Sequence, residues 1–187
     1  MQYGMDNLVY RTSRCIVRPL IITDYGEFIN GYMRCTESQN RFDEGKIDVS
    51  QLSFAWFSDL LDRRKNEAER DYCYMFHVFD SETNESVGYC NIRTIYREDI
   101  QCGEIGYTVF NNRWGRGYGT EIVKALTEIG FHQLGFHRLE AYVNLDNDSS
   151  KRVLAKCGYV FECVREKYLL EDGVWTDNEV YFKLNRD

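Results

Sequence analysis

Seven residues, Trp114-Gly115-Arg116-Gly117-Tyr118-Gly119-Thr120, narrow the choice of fold more than any other stretch of the chain. They follow a run rich in β-formers, Gly103–Phe110. They lead into a segment where Ile122, Val123, Leu126, Ile129 and Leu134 recur on one helical stripe. The arrangement is strand, glycine loop, helix start, and it admits two readings. One is a flexible turn. The other is an anion site, in which small residues leave backbone N–H groups free to converge and the helix start adds unpaired donors and a positive dipole end. The spacing excludes two familiar nucleotide loops. A dinucleotide fingerprint needs a third glycine where Thr120 stands, and a P-loop needs a Gly-Lys-Ser/Thr that never follows.

The periodicity elsewhere sets the architecture. Ser13–Leu20 reads as a strand, about Thr23–Cys35 as a helix, Ser38–Ser50 as a loop and Val49–Arg70 as a longer helix. Tyr72–Phe79 and Ser86–Tyr96 read as a hairpin, and Gly103–Phe110 as a further strand. After the helix Thr120–Leu134 come a strand at Arg138–Val143 and a short helix at Ser149–Cys157 that Gly158 ends. Tyr159–Leu170 and Glu179–Leu184 then pair across a turn at Glu171-Asp172-Gly173. The order β-α-α-β-β-β-α-β-α-β-β gives an α+β chain with a mixed sheet of about seven strands and helices on both faces. There is no internal repeat, the one proline is Pro19, and the 187 residues fit a single domain over 1–187.

Composition removes several function classes. Lys and Arg number 23 against 30 Asp and Glu, a net charge of −7, which argues against direct nucleic-acid binding. No run approaches 18 apolar residues, so no membrane span is expected, and Met1–Tyr10 lacks a signal-peptide pattern. The seven cysteines are widely spaced with no C-x-x-C, which argues against a zinc site or a disulfide framework and for a reducing, cytoplasmic setting. His77, His132 and His137 show no metal spacing, and no metal is expected.

A second constellation is Asn147-Asp148-Ser149-Ser150 followed by Lys156-Cys157-Gly158-Tyr159. Taken alone, Asn, Asp and Ser here are helix-capping residues. Taken in order with Thr12 to Leu20, Glu104-Ile105-Gly106-Tyr107, Trp114 to Glu121, Arg138-Leu139-Glu140-Ala141 and the turn at Glu171 to Asp177, they resemble the GNAT N-acetyltransferase superfamily. The resemblance is closest to the branch that acetylates ribosomal-protein N-termini, and it covers nearly the whole chain.

That resemblance implies a GNAT fold with a mixed, mostly antiparallel sheet, and acetyl-CoA as co-substrate. The diphosphate would take the amides of Arg116, Gly117, Tyr118, Gly119 and Thr120, with the Arg116 side chain either adding a contact or lying solvated. Val109 would offer backbone to the pantetheine arm, and Asn147 would bond the cofactor or order the site. Glu104 would serve as a water-relayed base, and Ser150 would protonate the departing thiolate, in place of the tyrosine of many GNAT enzymes, whose position here is Leu154. The alternatives are a strand-end carboxylate for Glu104 and a capping hydroxyl for Ser150. The acceptor would be a primary amine, such as a ribosomal or other protein N-terminus. A polyamine or aminoglycoside acceptor and a non-catalytic acyl-CoA-binding module are the competing readings, and a homodimer is common among such proteins. Tyr25, Phe28, Tyr32, Phe54, Trp56 and Phe57 would line the acceptor pocket or form core, with Glu37, Asp43 and Glu44 nearby to attract a cation or merely sit in solvent.

Overall fold

The computed structural model describes residues 5–186; the first four residues of the Met1–Tyr10 segment lie outside them. The chain builds one eight-stranded sheet in the order β1-β2-β3-β4-β5-β6-β8-β7. The strands are β1 (Tyr10–Arg11), β2 (Cys15–Arg18), β3 (Cys73–Asp80), β4 (Ser86–Tyr96), β5 (Cys102–Val109), β6 (Arg138–Asn144), β7 (Val160–Glu171) and β8 (Val174–Leu184). Every pairing is antiparallel except β5 with β6. The sheet has eight strands where the sequence suggests about seven, because the two-residue β1 pairs with β2 through Tyr10↔Val17 and Arg11↔Ile16. So short a strand has no periodicity of its own to read.

Four helices cover the two faces: α1 (Tyr25–Met33), α2 (Phe54–Glu69), α3 (Tyr118–Glu128) and α4 (Asp148–Lys156). On one side α3 buries Ile122, Val123, Ala125 and Leu126 against Phe76, Val78, Cys90, Ile92 and Ile105, and Leu154 of α4 joins the same core. On the other side α1 and α2 pack Phe28 and Phe57 against Leu20 and Phe79, with Tyr25, Tyr32 and Trp56 around them. The aromatic residues of these helices are therefore mostly core; Phe54 is the exposed exception. All seven cysteines are free thiols, and six are buried.

Two ends differ from the sequence reading for local reasons. Helix α2 begins at Phe54 rather than Val49 because Ser53 caps it, its Oγ accepting from Trp56 N–H at 3.2 Å. Helix α3 stops at Glu128 and continues as a π-helical turn, Ile129–Gln133. There Gly130 approaches β6 so closely that a Cβ would lie 2.8 Å from Leu139 Cδ1.

The seam between β5 and β6 shapes the site. Only Cys102↔Arg138, Gly103↔Leu139 and Glu104↔Glu140 are in register before the two strands part. Beyond Glu104, β5 stays with β4 and β6 stays with β8. A wedge opens between them, and α3 and α4 start at its rim.

Candidate active site

The wedge leads into a cavity of about 790 Å³. Tyr107 and Val109 of β5 form one wall, and Gly115, Gly117, Tyr118, Gly119 and Thr120 another. Asn147, Ser149, Ser150, Arg152, Val153 and Lys156 close it from the α4 side. Asn40, Arg41 and Phe42 of the loop between α1 and α2 lie across the mouth. That loop is pinned by buried Asn111, whose Oδ1 accepts from Thr36 N–H at 2.8 Å and whose Nδ2 donates to Thr36 C=O at 2.9 Å and Asp43 Oδ2 at 3.0 Å. Arg41 forms an exposed ion pair with Asp146 across the opening.

The glycine loop has the conformation its composition allows. Gly115 and Gly117 take φ of +73° and +83°, the left-handed region that costs other residues strain. Gly117 is the N-cap of α3, and the first intrahelical bond is Glu121 N–H to Gly117 C=O at 3.3 Å. The amides of Gly117, Tyr118, Gly119 and Thr120 thus have no partner within the helix. With the helix dipole and the Arg152 and Lys156 side chains of the lining, they form a cationic cradle suited to a diphosphate, whereas Arg113 of the lining is already paired with Glu85. Gly119 is under no such constraint as Gly115 and Gly117, since a Cβ there would make ordinary contacts with Val153 of α4 and Tyr107 of β5 at 3.5 and 3.6 Å.

The β5 wall offers backbone. Phe110 N–H bonds Val87 C=O at 2.9 Å, and the antiparallel alternation then turns the peptide groups of Val109 and Tyr107 away from β4, toward the wedge. The Val109 carbonyl is already taken by Trp114 Nε1–H at 2.7 Å, leaving its N–H as the group it can offer a ligand.

Asn147 and Ser150 meet at the start of α4 and divide the work that the sequence leaves ambiguous. Asn147 is the N-cap, its Oδ1 accepting from Ser150 N–H at 3.2 Å. The cap uses the backbone of Ser150 and leaves its hydroxyl out of the bond. Beside it stands Tyr107, whose hydroxyl is buried next to the Ser150 side chain. Burial pushes that phenol up to about 12, and the neighbouring Ser150 side chain offsets part of the rise.

Two expected site residues are placed elsewhere. Arg116 does not line the cavity; its carbonyl accepts from Arg14 Nη1 at 3.0 Å on the other side of the loop. Glu104 does not line it either. It is the last β5 residue paired with β6, and its carboxylate is bound by Arg93 of β4, through Nε at 2.9 Å and through Nη2. Its register partner Glu140 is held by Arg138, Tyr142 and Arg165, so the two adjacent carboxylates share no guanidinium: one serves Glu104 and two serve Glu140. Of the acidic loop residues, Glu44 accepts from Tyr89 Oη at 2.7 Å, and Asp43 binds Asn111 and nearby backbone amides. The cavity also takes in Tyr107 and Lys156, which stand inside the motifs quoted above but carry no role there, and Arg113 and Arg152, which stand outside those motifs. Arg152 and Lys156 share a basic i, i+4 spacing on α4 that could have drawn attention to them. Among the described residues no group of three or more His, Cys, Asp or Glu could hold a metal ion, and no helix is long and apolar enough to cross a membrane.

Comparison with known proteins accords with this geometry. The family model of the acetyltransferase (GNAT) domain matches residues 14–160. A probable N-acetyltransferase of Bacillus subtilis, YjcK, is 31% identical over 175 residues, 91% of this chain and 94% of that protein. The [ribosomal protein uS5]-alanine N-acetyltransferase of Escherichia coli is 28% identical over 105 residues, 56% of this chain and 54% of that protein. Among solved structures, Mycobacterium smegmatis RimJ in complex with CoA-disulfide superposes with a TM-score of 0.79 at 22% identity, covering 98% of this chain and 90% of that one. The chain belongs to the GNAT acetyltransferase family and is an N-acetyltransferase.

Proposed function

We propose that the protein moves an acetyl group from acetyl-CoA to a primary amine, with a protein or peptide N-terminus as the preferred acceptor. The observation that carries the reading is the cavity joining an amide-lined helix start to the wedge between β5 and β6. The diphosphate of the co-substrate takes the amides of Gly117 to Thr120, and the Val109 N–H holds the pantetheine arm. The Arg116 amide, expected to share the diphosphate, contributes less, since its residue lies off the lining.

The reaction on this reading is direct. The neutral amine attacks the thioester carbonyl, a C–N bond forms, and the C–S bond breaks. The amine loses a proton to water relayed toward Glu104, the thiolate takes one from the Ser150 hydroxyl as water replaces it, and Glu104 returns the amine's proton to solvent, so that both residues end as they began. Asn147 keeps that hydroxyl at the start of α4 by capping the helix. An N-terminal acceptor suits a site whose carboxylate is already engaged by Arg93. An α-amine, with a pKa of about 7.7–8.0, is neutral in roughly a tenth of molecules at pH 7 and needs little help, whereas a lysine-type amine near 10.4 needs much more. The similarity to an enzyme that acetylates a ribosomal protein supports a protein acceptor.

The test is CoA thiol release with acetyl-CoA and two acceptors in parallel, a short peptide beginning with Ala or Ser and spermidine. Faster release with the peptide supports the reading. Preference for spermidine replaces it with a small-amine acetyltransferase, and binding of acetyl-CoA with no release to either acceptor removes both.

A further inference from the structure

The face of the glycine loop turned away from the cavity is organised around one side chain that no step above uses. Arg14 comes from the turn between β1 and β2. Its Nε and Nη2 both reach Glu121 Oε2, at 2.9 and 2.6 Å, and its Nη1 donates to the Arg116 carbonyl at 3.0 Å. Its guanidinium lies 4.7 Å from the centre of the Tyr118 ring, and Tyr118 Oη in turn donates to Asp80 at 2.9 Å. Glu121 is equally fixed: its Oε1 accepts from the Thr12 and Ser13 hydroxyls and from Arg14 N–H. A Cβ on Gly117 would lie 3.6 Å from Arg14 Nη2, so Arg14 backs the loop directly behind the residue that faces the cavity.

Peptide geometry gives this contact a consequence. The Arg116–Gly117 peptide is planar and trans, so its C=O and N–H point in opposite directions. Drawing the Arg116 carbonyl back toward Arg14 turns the Gly117 N–H forward, into the cradle. A flip of that plane would turn Arg116 ψ and Gly117 φ together, and Gly117, at a φ of +83°, is a residue that takes either sign of φ at little cost. Charge works in the same direction. Glu121 stands in the first turn of α3, where a bare carboxylate would repel a diphosphate, and the Arg14 fork neutralises it.

We infer that Arg14 is a positioning residue for the co-substrate: it locks the Arg116–Gly117 peptide plane so that the Gly117 amide is presented to the diphosphate. The inference rests on the acetyl-CoA reading above. It predicts a defect confined to ligands that carry a diphosphate. The test measures binding of CoA by calorimetry and of pantetheine, which has the arm but no diphosphate, by NMR titration, for the full chain and two variants. Arg14→Ala should weaken CoA by roughly 10- to 100-fold, the worth of one hydrogen bond to a charged group, and should change pantetheine by less than about twofold. Arg14→Lys keeps the charge but cannot serve both Glu121 and the carbonyl with a planar fork, so it should remain at least about fivefold weaker for CoA. Unchanged CoA affinity in Arg14→Ala overturns the inference. Equal weakening of both ligands overturns it too, since that marks general damage to the cavity, and full recovery in Arg14→Lys would mean that charge alone matters. Failure of the unsubstituted chain to bind CoA sinks the acetyl-CoA reading, and this inference with it.

Discussion

Ser150 is the residue at which chemistry and capping can be separated by one substitution. The cap of α4 uses Asn147 Oδ1 and the Ser150 backbone, so removal of the Ser150 hydroxyl leaves the helix start intact. Ser150→Ala should lower kcat by roughly 10- to 100-fold, at or below the lower end of what general acid–base catalysis supplies, with KM for acetyl-CoA and the melting temperature unchanged. Steady-state kinetics beside a thermal melt would check this, and a stability loss with kcat intact would return Ser150 to the cap alone. Asn147→Ala should do the opposite to the fold, costing about 1 kcal/mol through the lost cap. The sequence can name Asn147 and Ser150 but cannot divide them, because side-chain and backbone capping leave the same residue types at the same spacing. Glu104 shows another limit. Its Arg93 partner lies on the neighbouring strand, 11 positions away, and is visible only through the register that pairs them. Tyr107 stands inside a recognised motif, yet nothing in that motif says its hydroxyl would be buried beside Ser150.

Whole elements are legible where one hydrophobic stripe dominates. The β3–β4 hairpin, β5 and the start of helix α3 follow their periodicities to within a few residues, because the helix buries one continuous stripe and the strands are rich in β-formers buried between the two helical layers. The misplaced ends have local causes. Strand β8 begins at Val174, five residues before the apolar alternation suggests, since Thr176 and Asn178 are polar yet turned inward. Thr176 Oγ1 donates to Glu171 Oε2 at 3.0 Å, and Asn144 Nδ2 donates to the same oxygen at 2.6 Å. Polar residues that bond one another in a sheet, as Thr176, Glu171 and Asn144 do, imitate a loop in sequence. The stripe starts α2 too early because Val49 and Leu52 fall on it, whereas the Ser53 cap sets the true start. Ser53→Ala should destabilise the fold by about 1 kcal/mol, seen as a lower urea midpoint with unaltered kcat; an unchanged midpoint would mean that α2 is held by packing alone.

At the scale of the molecule, acid stability should be set first by one buried side chain. His77 is fully buried among Phe28, Phe79 and Phe110, with Nε2 bonded to Ser86 Oγ, and burial holds its pKa down to about 3. The unfolded chain binds that proton below about 6.5 while the native state does not. Stability is therefore fully present above pH 6.5 and falls by about 1.4 kcal/mol per unit as pH drops toward 3. Roughly 2 kcal/mol should be gone by pH 5, before the depressed carboxylates of Asp71, Glu121 and Glu140 add their own loss at lower pH. Urea midpoints from pH 7 to 5 would show the slope, and a flat profile would contradict it. The three-pair seam between β5 and β6 has a mechanical consequence as well. Strands β1 to β5 and β6 to β8 form two leaves bound along a spine three residues long. A molecule seated in the wedge and touching both leaves would act as a splint across that spine. The amides of Tyr107 and Val109 should then exchange their hydrogens early in the free protein and late in the loaded one, so that the reactant itself completes the sheet on which it is consumed.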